Sequence, residues 1–249
     1  MKILTWNIYK NNKDINKAIE FLKKQNADVV CLQEFPAVHI DLLRNLGGHI
    51  AICDEVHIPK NKKKEATKLY SVIFSRFPIK EQVIIPHKKT YGDTSIKSKD
   101  RYHHFQADSF YVDIDTFGGL FRIFNTHFRC FTGPNHRLAQ LKEVLDHLDP
   151  ERKNIICGDF NTFGKPLVNI FLWKYFGYKR QEIIINENKN LAKLLSEYSL
   201  KNCFYRQVTF WKFPIQLDYI LVPLTVKVKS SRVSLRPYGS DHFPLLLEI

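Results

Sequence analysis

The chain has 249 residues, of which 44% are hydrophobic and 25% charged, with 10 Gly and 11 Pro. These proportions exclude collagen-like, low-complexity and wholly disordered chains, and a chain of this length needs no disulfide to stabilise its core. Lys and Arg outnumber Asp and Glu by 38 to 25, so the net charge is +13. This excess favours a polyanionic partner, either nucleic acid or an anionic membrane surface.

The first fifty residues alternate between strand and helix patterns. Residues 2–8 have the composition of a strand, and apolar residues at i, i+3, i+4 and i+7 predict a helix over 15–22. Residues 28–32 form a short continuous apolar run, which is typical of a strand covered on both faces. A second helical pattern covers 40–46 and stops at Gly47-Gly48.

The rest of the chain is richer in strands. The predicted strands are 69–75, 80–85, 105–114, 120–126, 154–157, 217–222, 225–235 and 245–249, and the predicted helices are 138–148 and 191–198. Several strands in direct succession, mixed with helices, predict two packed sheets covered by helices. Since no repeat or long linker divides the chain, we expect one domain over residues 1–249.

Two basic segments, 59–65 and 90–104, interrupt this pattern. Each is either a solvated loop or an arm that contacts phosphate, and the net charge supports the second interpretation. The five cysteines are scattered and form no C-x-x-C motif, which is typical of a reducing compartment. With no signal peptide or membrane-spanning apolar run visible, we expect a cytoplasmic protein.

Polar side chains stand repeatedly where an apolar run ends. If the strand ends lie side by side, as they do in the ligand crevices of sheet-based folds, these side chains form one site. Four carboxylates in one crevice would repel one another, and a hard cation such as Mg²⁺ would relieve that repulsion. Taken singly, each residue also fits a structural role, such as a turn, a cap or a buried histidine. The residues are Asn7, Glu34, His127, Asp159, Asn161, Asp218, Asp241 and His242.

Seven motifs carry a family resemblance. They are Thr5-Trp6-Asn7, Leu32-Gln33-Glu34, Ser75-Arg76-Phe77-Pro78-Ile79, Asn125-Thr126-His127, Gly158-Asp159-Phe160-Asn161, Leu217-Asp218-Tyr219-Ile220 and Ser240-Asp241-His242. In this order the set resembles the endonuclease/exonuclease/phosphatase superfamily, or DNase I-like fold, over nearly the whole chain. The resemblance implies a four-layer α/β sandwich, in which two packed mixed or antiparallel sheets are flanked by helices. It also implies hydrolysis of a phosphate ester with Mg²⁺ or Mn²⁺.

The resemblance also implies roles for individual residues. Glu34 would be the principal metal ligand, assisted by Asn7 and Asp241. Asp159 and Asn161 would position or deprotonate the attacking water and hold the phosphate. His127 and His242 would donate hydrogen bonds to phosphoryl oxygens, with Asp218 orienting His242. Arg137, on the helix-like segment that follows, would either reach phosphate or pair with a surface acid.

Differences between this chain and the motifs of individual subfamilies narrow the substrate class. Inositol polyphosphate 5-phosphatases carry Trp before Gly-Asp-x-Asn and a Cys-Asp-Arg-Ile block, whereas this chain has Cys157 and Leu217-Asp218-Tyr219-Ile220. The leading hypothesis is a nuclease that acts on DNA or RNA, supported by the net charge. The alternatives are a sphingomyelinase-like phospholipid phosphodiesterase that engages anionic membranes, and a catalytically silent nucleic-acid-binding module. No protein partner is indicated, and we expect a monomer.

Overall fold

The computed structural model describes residues 1–57, 67–88, 105–130, 132–164, 169–170 and 180–249. The basic segments 59–65 and 90–104 lie outside the described residues, so neither interpretation of them is tested. Within the described ranges, no helix combines the length and the apolar character that a membrane span requires.

Thirteen strands and four α-helices make up the described part of the fold. In chain order they are β1 (Lys2–Asn7), α1 (Ile15–Gln25), β2 (Val29–Pro36), α2 (Ile40–Arg44), β3 (His49–His57), β4 (Thr67–Ser75), β5 (Ile79–Ile85), β6 (Phe105–Ala107), β7 (Ser109–Thr116), β8 (Gly119–His127), α3 (Pro134–Leu145), β9 (Lys153–Asp159), α4 (Glu187–Glu197), β10 (Leu200–Asn202), β11 (Asp218–Pro223), β12 (Ser230–Val233) and β13 (Leu245–Glu248). Short 3₁₀ turns lie at Ala37–His39 and Arg180–Glu182.

The strands form two mixed sheets. The first has seven strands in the order β12-β13-β1-β2-β4-β3-β6, and the second has six in the order β10-β11-β9-β8-β7-β5. The pairs β1–β2 and β8–β9 are parallel, and the other pairs are antiparallel.

Buried side chains define four layers. Because successive side chains of a strand point to opposite faces, Ile3 packs between the sheets with Ile155, while its neighbour Leu4 packs on the outer face against Leu22 of α1. The outer face of the second sheet is covered in the same way by α3 and α4, whose buried leucines include Leu141. This arrangement confirms the predicted four-layer α/β sandwich.

The structure corrects three details of the predicted elements. Strand β3 was not predicted, because Asp54 and Glu55 interrupt its apolar residues. The predicted strand 105–114 is divided at Asp108 into β6 and β7. Of the predicted strand 225–235, only Ser230–Val233 pairs in the sheet, because the backbone N–H of Val226 donates to the carbonyl of Pro223 and closes a turn there.

Candidate active site

Strand register brings the predicted polar residues to one edge of the sandwich. In the second sheet, His127 at the end of β8 lies opposite Asp159 at the end of parallel β9, and Asp159 lies opposite Asp218 at the start of antiparallel β11. Gly158 permits this approach, because a Cβ there would lie 2.0 Å from the carbonyl oxygen of Thr126. An antiparallel strand begins where its neighbours end, so all three side chains reach the same crevice.

The first sheet contributes Asn7 and Glu34 at the same edge. Asn7 ends β1 opposite Gln33 of parallel β2, which places it beside Glu34. The pairing of β2 with β4 shifts between Leu32 and Phe35, and Glu34 has a positive φ of 53°. A bulge of this kind redirects a side chain, and here the carboxylate of Glu34 is close enough to accept from the Asn7 amide at 3.4 Å.

His127 is backed by an acid that the sequence reading missed. Its Nδ1 lies 3.4 Å from both carboxylate oxygens of Glu55, a fully buried residue of β3. The hydroxyl of Ser71 and the backbone N–H of Glu34 also donate to that carboxylate. Burial lowers the pKa of His127, but the charges of Glu55, Asp159 and Glu34 outweigh it and raise the pKa to about 9.

His242 is backed by Asp218, as the resemblance implied. Its Nδ1 lies 2.8 Å from Asp218 Oδ2, and the backbone N–H of Asp218 donates to the hydroxyl of Thr209 at 3.0 Å. Burial lowers the pKa of His242, yet Asp218, Asp159 and Asp241 raise it to about 10. Both pKa values lie above 7, which favours the imidazolium form of each ring.

Asp159 lies between the two imidazoles. Its Oδ2 is 3.7 Å from Nε2 of His127 and 3.8 Å from Nε2 of His242, and it accepts a hydrogen bond of 3.0 Å from the Asn7 amide. Burial raises the pKa of Asp159 to about 6, since the lowering effect of the two histidines does not fully offset burial and the charge of Asp218. A carboxyl group with a pKa in this range can accept a proton near neutral pH.

Asn161 is held by two hydrogen bonds, one from its backbone and one from its side chain. Its N–H donates to Asp159 Oδ1 and its side-chain amide donates to the carbonyl of Phe128, both at 2.9 Å. The hydrogen bond to Asp159 Oδ1 closes an Asx turn, and Asn161 has the positive φ of 51° that such a turn accommodates. The turn fixes Asp159 and Asn161 relative to each other within the crevice.

Asp241 is paired with a lysine from a neighbouring loop. Its Oδ2 lies 2.7 Å from Nζ of Lys212, and its Oδ1 lies 3.9 Å from Nε2 of His242. The eight residues predicted for the site thus lie in one continuous chain of neighbouring groups. Its links are Asn7–Glu34, Asn7–Asp159, Asp159–Asn161, Asp159–His127, Asp159–His242, His242–Asp218 and His242–Asp241.

The donor set fits a hard divalent cation. Five carboxylates lie in this connected group, together with two imidazoles and Lys212. The predicted metal ligands offer oxygen, which suits Mg²⁺ or Mn²⁺. Asn7 differs from the expectation in one respect: its amide nitrogen faces the carboxylates, while its oxygen accepts from the backbone of Tyr9.

Among the described residues, one carboxylate–imidazole group brings its ligand atoms close enough together to hold a metal. Ligand atoms of Asp159, Asp218 and His242 lie within 4.8 Å of one another. Asp218 and His242 also form a hydrogen bond with each other, between Oδ2 and Nδ1, and so make an acid–imidazole pair within this group.

Arg137 pairs with a buried acid on α4. Its guanidinium forms two hydrogen bonds, of 2.8 and 3.0 Å, with the carboxylate of Glu187 on α4, and both side chains are fully buried. Glu187 also accepts from the backbone N–H of Phe163, just beyond the Asp159–Asn161 turn. Of the two interpretations of Arg137, the structure supports pairing with an acid, although that acid is buried rather than at the surface.

The sequence profile of the Endonuclease/Exonuclease/phosphatase family matches residues 4–242. The chain belongs to this family. Membership confirms the resemblance and makes the protein a member of a family of phosphoric ester hydrolases. No curated protein is similar enough in sequence to be matched with the chain.

Solved structures show that the fold is that of the family. The Endonuclease/Exonuclease/phosphatase protein from Beutenbergia cavernae DSM 12333 superposes with a TM-score of 0.73 at 20% identity, covering 99% of this chain and 70% of that one. The 3′ phosphatase NExo from Neisseria, bound to a product DNA hairpin, gives a TM-score of 0.63 at 18% identity over 100% and 98% of the two chains. An AP endonuclease from Archaeoglobus fulgidus gives 0.63 at 16% identity, over 100% and 98%.

Proposed function

We propose that this family member is a divalent-metal-dependent phosphodiesterase and that its substrate is nucleic acid. One observation carries the proposal: two imidazoles, each backed by its own acid, flank the carboxylate of Asp159 at 3.7 and 3.8 Å. Two fixed imidazolium groups can hold the oxygens of a phosphoryl group, and a carboxylate between them can accept a proton from water. The site and its scaffold would form one domain over residues 1–249.

The residues divide into three functional sets. Glu34 and Asp241 would hold the cation, which when bound neutralises phosphoryl charge and lowers the pKa of water. His127 and His242 would donate to phosphoryl oxygens, and Glu55 and Asp218 would fix the orientation of the rings. Asp159, held by the Asn7 amide and the Asx turn, would orient the water and take its proton, with Asn161 beside it.

Two observations support nucleic acid as the substrate. The net charge of +13 favours a polyanion, because phosphate contacts dominate non-specific affinity for nucleic acid. One structure with this fold is bound to a product DNA hairpin, and another is that of an AP endonuclease.

A substrate panel tests the proposal. Purified protein is incubated with plasmid DNA, single-stranded DNA, RNA and sphingomyelin vesicles, each with Mg²⁺ and with excess chelator. The expected result is metal-dependent cleavage of at least one nucleic acid, lost in Asp159→Asn and kept in the matched surface variant Asp41→Asn. Cleavage that survives chelation or Asp159→Asn contradicts the proposed mechanism. Turnover of the lipid alone would instead establish the phospholipid phosphodiesterase.

A further inference from the structure

The loop between β10 and β11 exposes aromatic side chains beside the candidate active site. Five aromatic residues are strongly exposed among the described part of the chain, and three of them lie in this loop: Tyr205 at 61%, Trp211 at 54% and Phe213 at 56%. The other two, Phe117 and Tyr198, lie elsewhere. Exposure of aromatic rings to water is unfavourable, so a cluster of exposed rings at the edge of the candidate active site suggests that the rings contact a ligand.

The loop is bonded to the segment that carries Asp241 and His242. The backbone N–H of Trp211 donates to the carbonyl of Asp241 at 3.2 Å, and the indole N–H donates to the carbonyl of Ser240 at 3.1 Å. The ring of Phe210 lies 5.0 Å from the imidazole of His242. The indole is therefore fixed in orientation although more than half of its surface is exposed.

A lysine ammonium lies among these rings. Nζ of Lys212 is 5.3 Å from the ring centre of Tyr9 and 5.8 Å from those of Phe210 and Trp211, and it pairs with Asp241 at 2.7 Å. Phe210 and Phe213 are stacked with their ring centres 6.2 Å apart. Fixed rings around one cation, next to a phosphoryl site, match the chemistry of a nucleotide, which has a flat base and an anionic phosphate.

We propose that Tyr9, Phe210, Trp211, Lys212 and Phe213, here called the aromatic rim, bind an unpaired nucleotide next to the scissile phosphate. This inference rests on the proposed function and specifies its substrate as single-stranded or frayed nucleic acid. The base stacks on the exposed rings of Trp211 and Phe213, and Lys212 contacts the adjoining phosphate. Only an unpaired base can present its face to these rings, because in a duplex both faces are covered by neighbouring base pairs.

A membrane surface is the main competing occupant for exposed aromatic and basic residues. The composition of the loop favours the nucleotide, because exposed Arg206, Gln207 and Lys212 lie among the aromatic residues in the sequence. In addition, Trp211 is bonded to the backbone beside the catalytic histidine, within reach of a nucleotide that occupies the crevice.

Equilibrium binding tests the aromatic rim. Affinities of 5′-fluorescein-labelled dT₁₂ and of a 12-base-pair duplex are measured by fluorescence anisotropy with Mg²⁺, in the Asp159→Asn background so that the oligonucleotide stays intact. Adding Trp211→Ala or Phe213→Ala is expected to weaken dT₁₂ binding roughly ten-fold each, the loss of one stacked base. Trp211→Phe, which keeps an aromatic ring, is expected to retain most of the affinity.

Phe117→Ala is the matched control. Phe117 is fully exposed in the turn before β8, roughly 26 Å along that strand from His127, and its removal is expected to leave dT₁₂ binding unchanged. A further comparison, of Lys212→Ala with Lys193→Ala on α4, tests the role of the lysine charge. Only the first is expected to lower the salt dependence of dT₁₂ binding, by about one phosphate contact.

The outcomes separate this inference from the proposed function. If the wild-type protein cleaves nucleic acid but Trp211→Ala and Phe213→Ala bind dT₁₂ as tightly as the background, the inference is wrong and the function stands. Equal affinity for dT₁₂ and the duplex also overturns the inference. Binding to phosphatidylserine vesicles is measured with the same variants. If Trp211→Ala and Phe213→Ala weaken vesicle binding and leave dT₁₂ binding unchanged, the inference is wrong as well. Absence of cleavage of any nucleic acid by the wild-type protein overturns the proposed function itself.

Discussion

His127 and Glu55 come from different sheets of the sandwich, yet the imidazole Nδ1 of His127 lies 3.4 Å from both oxygens of the Glu55 carboxylate. The contact joins the end of β8 to the C-terminal part of β3, between the two sheets. Glu55 thereby orients one of the two rings that face Asp159, and it is the main source of the raised His127 pKa.

Glu55→Gln keeps the shape of this side chain and removes its charge. We expect kcat on the preferred substrate to fall by on the order of 10²–10⁴-fold, because an acid behind an imidazole fixes its tautomer and stabilises its cation. The His127 pKa of about 9 should fall as well, measured by NMR titration of the ring in chelator. Glu197→Gln, on the exposed surface of α4, is the control, and equal kcat in both variants would contradict the role of Glu55.

Asp218→Asn tests the second acid–imidazole pair. Asp218 lies 2.8 Å from His242 Nδ1 and its charge raises the pKa of that histidine to about 10, so the substitution should lower this pKa. NMR titration of the His242 ring in chelator measures the change directly, and kcat should fall by a factor similar to that for Glu55→Gln. A His242 pKa that stays near 10 in the variant would show that Asp218 is not its cause.

Arg137 and Glu187 form a fully buried pair that joins α3 to α4. Arg137→Met leaves the carboxylate of Glu187 buried without its cation, which typically destabilises a protein by about 3–5 kcal/mol. Urea unfolding measures the difference. The double variant Arg137→Met/Glu187→Leu should recover much of the lost free energy, since it removes the uncompensated charge. A single variant as stable as the wild type would contradict this account.

His87 gives the fold a predicted pH dependence. It lies in the interior, with Nδ1 2.8 Å from Glu143 and Nε2 2.8 Å from Ser109, and burial lowers its pKa below 6.5 although its ring donates a hydrogen bond to Glu143. Since the unfolded chain binds this proton more readily, the stability that neutral His87 contributes is present above pH 6.5. It is lost as the pH falls through the folded-state pKa, with a slope of at most about 1.4 kcal/mol per pH unit.

Urea unfolding of wild type and His87→Asn between pH 7 and pH 5 measures this effect. The difference in the free energy of unfolding between the two proteins should shrink as the pH falls. Exposed His49→Asn is the control for removal of a histidine. A difference that stays constant over this range would exclude the proposed linkage.

Local patterns predicted most of the fold. Alternation in β1 separates Ile3 from Leu4 onto the two faces of the first sheet, and the continuous apolar run in β2 reports that it is covered on both sides. Strand β3 was missed because its inward-facing residue Glu55 is an acid, and an acid in a strand pattern suggests solvent. Only the three-dimensional position of His127 explains why that acid is buried.

The site was predicted where polar residues end strands that meet at one edge. Asp159 and Asp218 are examples, since register alone places them opposite each other. Glu55 lies within a strand and Lys212 lies in a loop, so neither residue follows an apolar run that ends at the site. These two residues could therefore not be predicted from the sequence. Arg137 left two interpretations open, because the sequence does not show that Glu187, fifty residues away, is its partner.

The central claim is that the acids of the candidate active site hold a divalent cation, with Glu34 as its principal ligand. Electron paramagnetic resonance of Mn²⁺, titrated with wild type, Glu34→Gln and the matched surface variant Glu197→Gln, tests it most directly. We predict saturable binding by the wild type and Glu197→Gln, and binding weakened by at least about ten-fold in Glu34→Gln, because a charged oxygen ligand is lost. Mn²⁺ that stays free in the presence of the wild-type protein, or that binds Glu34→Gln equally well, would contradict it.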